Sequence, residues 1–205
     1  ADRLATPLDS VFADVHSASG MQLLEATLIY PIQLYADFSG YTNMALGLAA
    51  MFGFKLSPNF NRPFAALSTG DLWRRWHMSL SFWVRDYVFV PLSASLRKWG
   101  MWGVSVSLLV TFAVIGVWHG AGWTFVFWGA MHGVALMVNH QWRRLNIALP
   151  NALNWGMTFL CVTVLWVFFR AENFHDAWNV IYAMAGGNGF ALPAGGHVEK
   201  LFAGM

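Results

Sequence analysis

Charged side chains are scarce in this 205-residue chain: Asp, Glu, Lys and Arg make up 11% of it, against roughly 25% in soluble globular proteins. A soluble domain of this size would lack polar cover, because apolar surface left in water is unfavourable in proportion to its area. The 12 basic and 10 acidic residues leave a formal net charge of +2. No field of one sign is available to hold a polyanion, so nucleic-acid binding is excluded. Cysteine occurs once, at Cys161, which excludes an intramolecular disulfide and leaves the redox compartment unread. Cys161 stands in an apolar run with no acid or base close in sequence and reads as packing, not as a nucleophile. Also missing are the Gly-x-Ser-x-Gly turn of a covalent serine mechanism and a Gly-rich phosphate loop closed by Lys and Ser or Thr.

Hydrophobic residues, by contrast, make up 57% of the chain, which excludes disorder and points to a bilayer as the solvent. Residues 99–142 and 145–169 contain no Asp, Glu, Lys or Arg. A helical crossing needs about 20 predominantly apolar residues, so the first run holds a hairpin of crossings at about 99–118 and 121–140. Its turn is His119-Gly120-Ala121-Gly122, and the second run holds one crossing at 151–169. Arg97-Lys98 and Arg143-Arg144 bracket the hairpin, and such pairs mark cytoplasmic loops. The turn at His119 then lies deeper in the membrane or toward the far side. Trp99, Trp102, Trp118, Trp123, Trp142 and Trp155 stand near these boundaries, where an amphipathic ring rests at headgroup level.

Upstream, residues 1–20 read as a loop, and 21–54 as two shorter membrane helices, 21–36 and 38–54, divided by Asp37 and with Pro31 in the first. Gly40, Ala45, Gly47, Ala49 and Ala50 allow close helix approach there. Residues 55–98 carry seven Lys or Arg against two Asp and form a basic interfacial or re-entrant region. Within it, 71–90 has helical spacing. Leu72, Trp73, Trp76, Leu80, Trp83 and Tyr87 fall on one face, and Arg74, Met78, Ser81 and Arg85 on the other. Thr69 or Asp71 is the expected cap, and Pro91 the expected stop. Residues 173–185 read as a short interfacial helix and 186–205 as a loop. The chain opens Ala-Asp-Arg without a signal-peptide pattern and closes in a Gly-rich stretch, so it is read as part of a longer protein.

Of the seven histidines, two have unusual settings. His119 joins two uncharged runs, and a titratable ring at membrane depth is expensive to hold unless something there uses or satisfies it. The alternatives are a working imidazole and a neutral one bonded at a helix break. His77, in Trp73-Arg74-Arg75-Trp76-His77, sits on the border between the Trp and Arg faces, where spacing alone favours an interfacial role with no chemical task. His132 and His140 stand too far after His119 for the i, i+4 pair of a helical zinc motif, so no metal is expected. Arg74, Arg75 and Arg85 suit phosphate or carboxylate, and lipid headgroups equally.

Several stretches are similar to one family in that family's order: Tyr35-Ala36-Asp37-Phe38-Ser39-Gly40-Tyr41, Asn59-Phe60-Asn61-Arg62-Pro63-Phe64, Leu72-Trp73-Arg74-Arg75-Trp76-His77-Met78-Ser79-Leu80-Ser81 and Arg85-Asp86-Tyr87. They continue through Trp118-His119-Gly120, Trp123-Thr124-Phe125, Trp128-Gly129-Ala130-Met131-His132-Gly133 and Trp166-Val167-Phe168-Phe169-Arg170-Ala171. Over about residues 30–185 the chain resembles the membrane-bound O-acyltransferase family, most closely its bacterial branch that acetylates exported polysaccharides such as alginate. After Pro91-Leu92 the alginate-type proteins continue Gly-Gly-Asn-Arg, whereas here stands Ser93-Ala94-Ser95-Leu96-Arg97, which leaves the polysaccharide open. The branch that transfers D-alanine shares Trp-His-Met-Ser-Leu-Ser.

The resemblance implies an all-α fold: polytopic transmembrane helices in an arch around a central funnel, with short interfacial amphipathic helices, of which this chain supplies the C-terminal half. It implies that His119 is the catalytic histidine and His77 the second functional one, in a multi-pass protein of the bacterial inner membrane. The expected reaction carries acetyl from a cytoplasmic thioester, acetyl-coenzyme A or an acyl carrier, to a polysaccharide hydroxyl, with no tightly bound cofactor. Membrane lipid, the polysaccharide acceptor and a periplasmic acetyltransferase are the expected partners. Competing readings are D-alanyl or other acyl transfer, a polytopic transporter with His119 lining its path, and a membrane scaffold for a secreted enzyme.

Overall fold

A computed structural model describes residues 2–189, and among these every regular element is helical. The first is α1, Asp2–Ala13, where a loop was expected. Leu8, Val11 and, just beyond the helix, Val15 are buried along the side facing the next helix, so packing outweighs the Pro7 that lies inside it. That next helix, α2, is a single element of 32 residues, Gly20–Met51, not two. Ser19 caps it reciprocally: its hydroxyl accepts from the Gln22 N–H and the Gln22 side-chain Oε1 accepts from the Ser19 N–H at 2.9 Å. Asp37 is exposed and leaves the backbone ladder intact, and Pro31 is buried within the helix without ending it. At 1.5 Å per residue α2 is about 48 Å long, more than the roughly 30 Å of a hydrocarbon core.

The expected helix over 71–90 is broken into pieces. Helix α3 covers Thr69–Trp73 and starts from Ser68, whose hydroxyl accepts from the Asp71 N–H at 3.1 Å, so neither Thr69 nor Asp71 is the cap. Helix α4 covers Met78–Val84, and between them His77 holds a left-handed backbone, φ 43°. A π-helical turn, Arg85–Phe89, leads into α5, Val90–Ser95. The chain therefore runs on through Pro91. In the wide turn the Val90 N–H donates to the Arg85 carbonyl, five residues back, and this shifts the ladder where proline cannot donate. The breaks also separate the aromatic face. Leu72, Trp73 and Trp76 are buried, but Trp83 and Tyr87 are turned outward, 55% and 69% exposed.

Helices α6 (Met101–His119), α7 (Trp123–Trp142), α8 (Asn151–Arg170) and α9 (Phe174–Met184) complete the described chain. Residues 186–189 form a turn after α9, and the rest of the loop expected at 186–205 lies outside the described residues. Among the described residues, α6 and α8 are long and apolar enough to cross a membrane, and only 39% of each apolar window is buried. Val110, Val114, Leu153, Met157 and Leu160 face outward, a surface suited to hydrocarbon. Helices α2 and α7 are long enough but contain no sufficiently apolar uninterrupted stretch; α7 carries His132, Asn139, His140 and Gln141.

Helices α6 and α7 form the most extensive pair in the structure. Glycine explains the closeness: a Cβ at Gly129 would meet the Phe112 carbonyl oxygen at 2.2 Å, and one at Gly133 the Leu109 Cα at 2.8 Å. The Gly129-x-x-x-Gly133 spacing puts both on one α7 face and lets the backbones touch. On the other side, Trp76 is a hub, its ring 5.0 Å from Phe60 and 4.8 Å from Trp166 of α8. It locks the segment before α4 onto the α2 and α8 side of the molecule.

Candidate functional site

His119 is the last residue of α6, and its half-buried ring is walled by aromatic rings. Trp128 of α7 meets it edge to face at 5.1 Å, Phe169 of α8 at 5.1 Å, and the adjacent Trp118 at 4.8 Å. Gly120 follows because the Phe125 ring lies over it; a Cβ there would come within 2.7 Å of that ring. Three helices thus fix one imidazole at a helix end.

His77 owes its place to a strap. The Met78 N–H donates to the Asn59 carbonyl at 2.9 Å, the Asn61 N–H to the Arg75 carbonyl at 2.9 Å, and the Ser79 N–H and hydroxyl to Asn59 Oδ1 at 3.1 and 2.6 Å. Asn59 thereby satisfies donors of the first turn of α4 that its own cap leaves free. Asn59→Ala is expected to cost about 1 kcal/mol of stability, as loss of a capping side chain does, read as a lower Tm with the helical content retained. The His77 ring packs on Phe38 of α2 at 4.7 Å, and its Nδ1 is buried without a hydrogen-bond partner in the protein.

The two histidines meet through Trp118, whose ring lies 6.3 Å from His77 and 4.8 Å from His119. His77 and Trp118 also line a cavity of about 310 Å³, together with Phe38, Tyr41, Thr42 and Asn59. A slightly larger cavity of about 350 Å³ lies between α7 and α8, lined by Met131, Ala135, Met157 and Cys161 among others; it contains neither histidine. The smaller one has the side chains of His77, Tyr41, Thr42 and Asn59 in its wall, and His119 stands beyond Trp118, outside that lining.

His132 is fully buried and within reach of the same aromatic wall, whereas His140 lies two turns further along α7, roughly 12 Å by helix rise. Arg75 donates to Asp71 at 3.0 Å, Arg74 stands 3.8 Å from the same carboxylate, and Arg85 is paired with Asp86 at 2.7 Å. Each of these arginines is engaged by a carboxylate of its own segment. Among the described residues no three His, Cys, Asp or Glu side chains gather as a metal site would require.

The family model of the membrane-bound O-acyltransferases matches residues 2–174. The chain belongs to this family. It is 42% identical over 196 residues to the peptidoglycan O-acetyltransferase of Helicobacter pylori, covering 94% of this chain and 37% of that protein. It is 43% identical over 188 residues to the protein of Pseudomonas aeruginosa named "Probable alginate O-acetylase AlgI", covering 90% and 35%. With the teichoic acid D-alanyltransferase of Streptococcus thermophilus it shares 33% over 146 residues, 69% of this chain and 35% of that one. The chain spans a little over one third of the length of these relatives.

Membership in the O-acyltransferase family accounts for the histidine segments, but sequence reasoning did not find their supports. Asn59, Phe38 and Phe169 were visible only as members of motifs, with no role attached. Their partners are distant in sequence, so no spacing announces the contact. The Gly129-x-x-x-Gly133 pair is a local signal of close packing that sequence reasoning missed.

Proposed function

We propose that this chain is the histidine-bearing part of a multi-pass membrane O-acetyltransferase that moves acetyl from a cytoplasmic thioester to a hydroxyl of an exported envelope polysaccharide. The supporting observation is that His77 and His119, from separate segments, both touch the Trp118 ring beside one cavity. In this reading the acceptor hydroxyl meets His119, which takes its proton as general base. The oxygen attacks the thioester carbonyl, the tetrahedral intermediate collapses, the carbon–sulfur bond breaks, and the departing thiolate recovers the proton from the imidazolium. The C-terminal end of α6 presents partial negative charge to that imidazolium and favours it once formed. His77, whose side chain lines the cavity, donates to the developing oxyanion.

A helical arch around a funnel brings the two substrates together from opposite sides of the inner membrane, and acetyl passes to the polysaccharide directly or through a periplasmic partner. D-alanyl transfer is the second reading, favoured by the similarity to a teichoic acid D-alanyltransferase. Mass spectrometry of envelope glycans from a deletion strain separates them: loss of acetyl ester supports the first, loss of D-alanyl ester the second, and an unchanged envelope overturns both.

His77→Asn isolates the second histidine. Asparagine tolerates the left-handed backbone that His77 occupies, so the ring is removed without refolding the turn. Acetyl transfer is expected to fall by about tenfold or more at unchanged membrane abundance. Undiminished transfer would return His77 to packing against Phe38.

A further inference from the structure

Behind the His119 wall lies a second buried imidazole that the reaction above does not use. His132 has no exposed surface, and its ring meets Trp128 at 5.0 Å and Trp73 at 5.2 Å, both edge to face. The Trp73 Nε1–H donates to His132 Nδ1 at 3.4 Å. Its proton in the neutral form is therefore on Nε2, and that nitrogen, like Trp128 Nε1, is buried with no partner in the protein. Burying unpaired donors costs stability. A phenylalanine at 132 would remove the unpaired Nε2–H but leave the Trp73 Nε1–H without its acceptor. What the imidazole adds is an anchored orientation.

The anchor leads to His119. Trp128 is one helical turn before His132 on α7, is 3% exposed, and stands edge to face with the His119 ring at an interplanar angle of 90°. Phe169 closes the corner, 5.0 Å from Trp128 and 5.1 Å from His119. At the other end, Trp73 ends α3, four residues before His77, and also packs on Phe112 of α6 at 4.9 Å.

We infer that His132 is a positioning residue: held by Trp73, it fixes the Trp128 ring, and through that ring the orientation of His119 relative to the His77 segment. This rests on the acyl-transfer reading, in which a base must be aligned to a fraction of an ångström and misplacement by about 1 Å costs on the order of 100-fold. The Trp73–His132 bond is a direct link between the segment that carries His77 and the hairpin that carries His119.

The test is a cycle of His132→Phe, Trp73→Phe and the double variant in the intact protein in its membrane, with kcat and KM for the thioester measured separately. Each single change is expected to lower kcat by about tenfold or more with KM moved by less than about twofold, and the double variant to be no worse than either single one, as for two residues acting as one unit. Val180→Ala, a buried core change on α9, which carries none of the cluster's residues, serves as a control of comparable stability loss and is expected to keep kcat. Should His132→Phe fail to accumulate, Trp73→Phe alone removes the same hydrogen bond and carries the test. Unchanged kcat in either single variant, losses that multiply in the double one, or an equal loss in Val180→Ala would overturn the inference. If His119→Ala keeps full transfer, the acyl-transfer reading itself fails; if His119→Ala is inactive while His132→Phe is not, only the positioning role is lost.

Discussion

Replacing His119 by alanine in the intact protein is expected to abolish most acetyl transfer, with a loss of roughly 10²–10⁴-fold, the usual contribution of a positioned general base. The measurement is acetyl ester on the polysaccharide at matched membrane abundance. The size follows from the setting. The ring sits at the end of α6 with Trp128, Phe169 and Trp118 around it, and none of these three side chains can accept a proton in its place. Stability should move little. The residue is only half-buried, and its removal leaves rings that still pack on one another, Trp128 on Phe169 at 5.0 Å. A variant that keeps its ester would take His119 out of the chemistry.

Gly129→Ala is expected to have the largest effect on folding. The added carbon would lie 2.2 Å from the Phe112 carbonyl oxygen and 2.9 Å from the Gly116 Cα, both backbone atoms with no freedom to rotate away. Overpacking of this kind costs about 1–3 kcal/mol, and a rigid backbone neighbour puts Gly129 at the upper end. Against a total stability of about 5–15 kcal/mol, the result is lower membrane abundance and a lower Tm in detergent. Since Trp128 adjoins Gly129, the His119 wall should loosen with it. Gly156→Ala is the contrast. A Cβ at that position on α8 meets nothing within 4 Å, so the change should be neutral or add about 0.5–1 kcal/mol through helix propensity. Equal behaviour of the two variants would mean that close α6–α7 approach does not hold the hairpin.

The helices that carry the site were legible because their signal is local. An uncharged run between Arg97-Lys98 and Arg143-Arg144, broken at His119-Gly120-Ala121-Gly122, needs no knowledge of partners to be read as two helices and a turn. Where the reading failed, local signals pointed the wrong way. Asp37 and Pro31 look like interruptions, yet α2 runs through both, because an outward-facing carboxylate breaks no backbone bond and a buried proline is held by its neighbours. The opposite error came at His77. A continuous apolar spacing hid a left-handed residue and a strap from Asn59, which lies 20 residues away from its partner Ser79.

By itself the sequence determined the solvent, the helical class, the family and the two histidines worth testing, since composition, spacing and motif order are properties of neighbouring residues. Only the tertiary structure decided that Trp118 touches both histidines, that Phe169 and Trp128 wall one of them, and that Trp73 reaches His132 across 59 positions of chain. Such meetings depend on how closely α6, α7 and α8 pack, and that distance is set by which residues face one another across the interface, something periodicity along one helix does not contain.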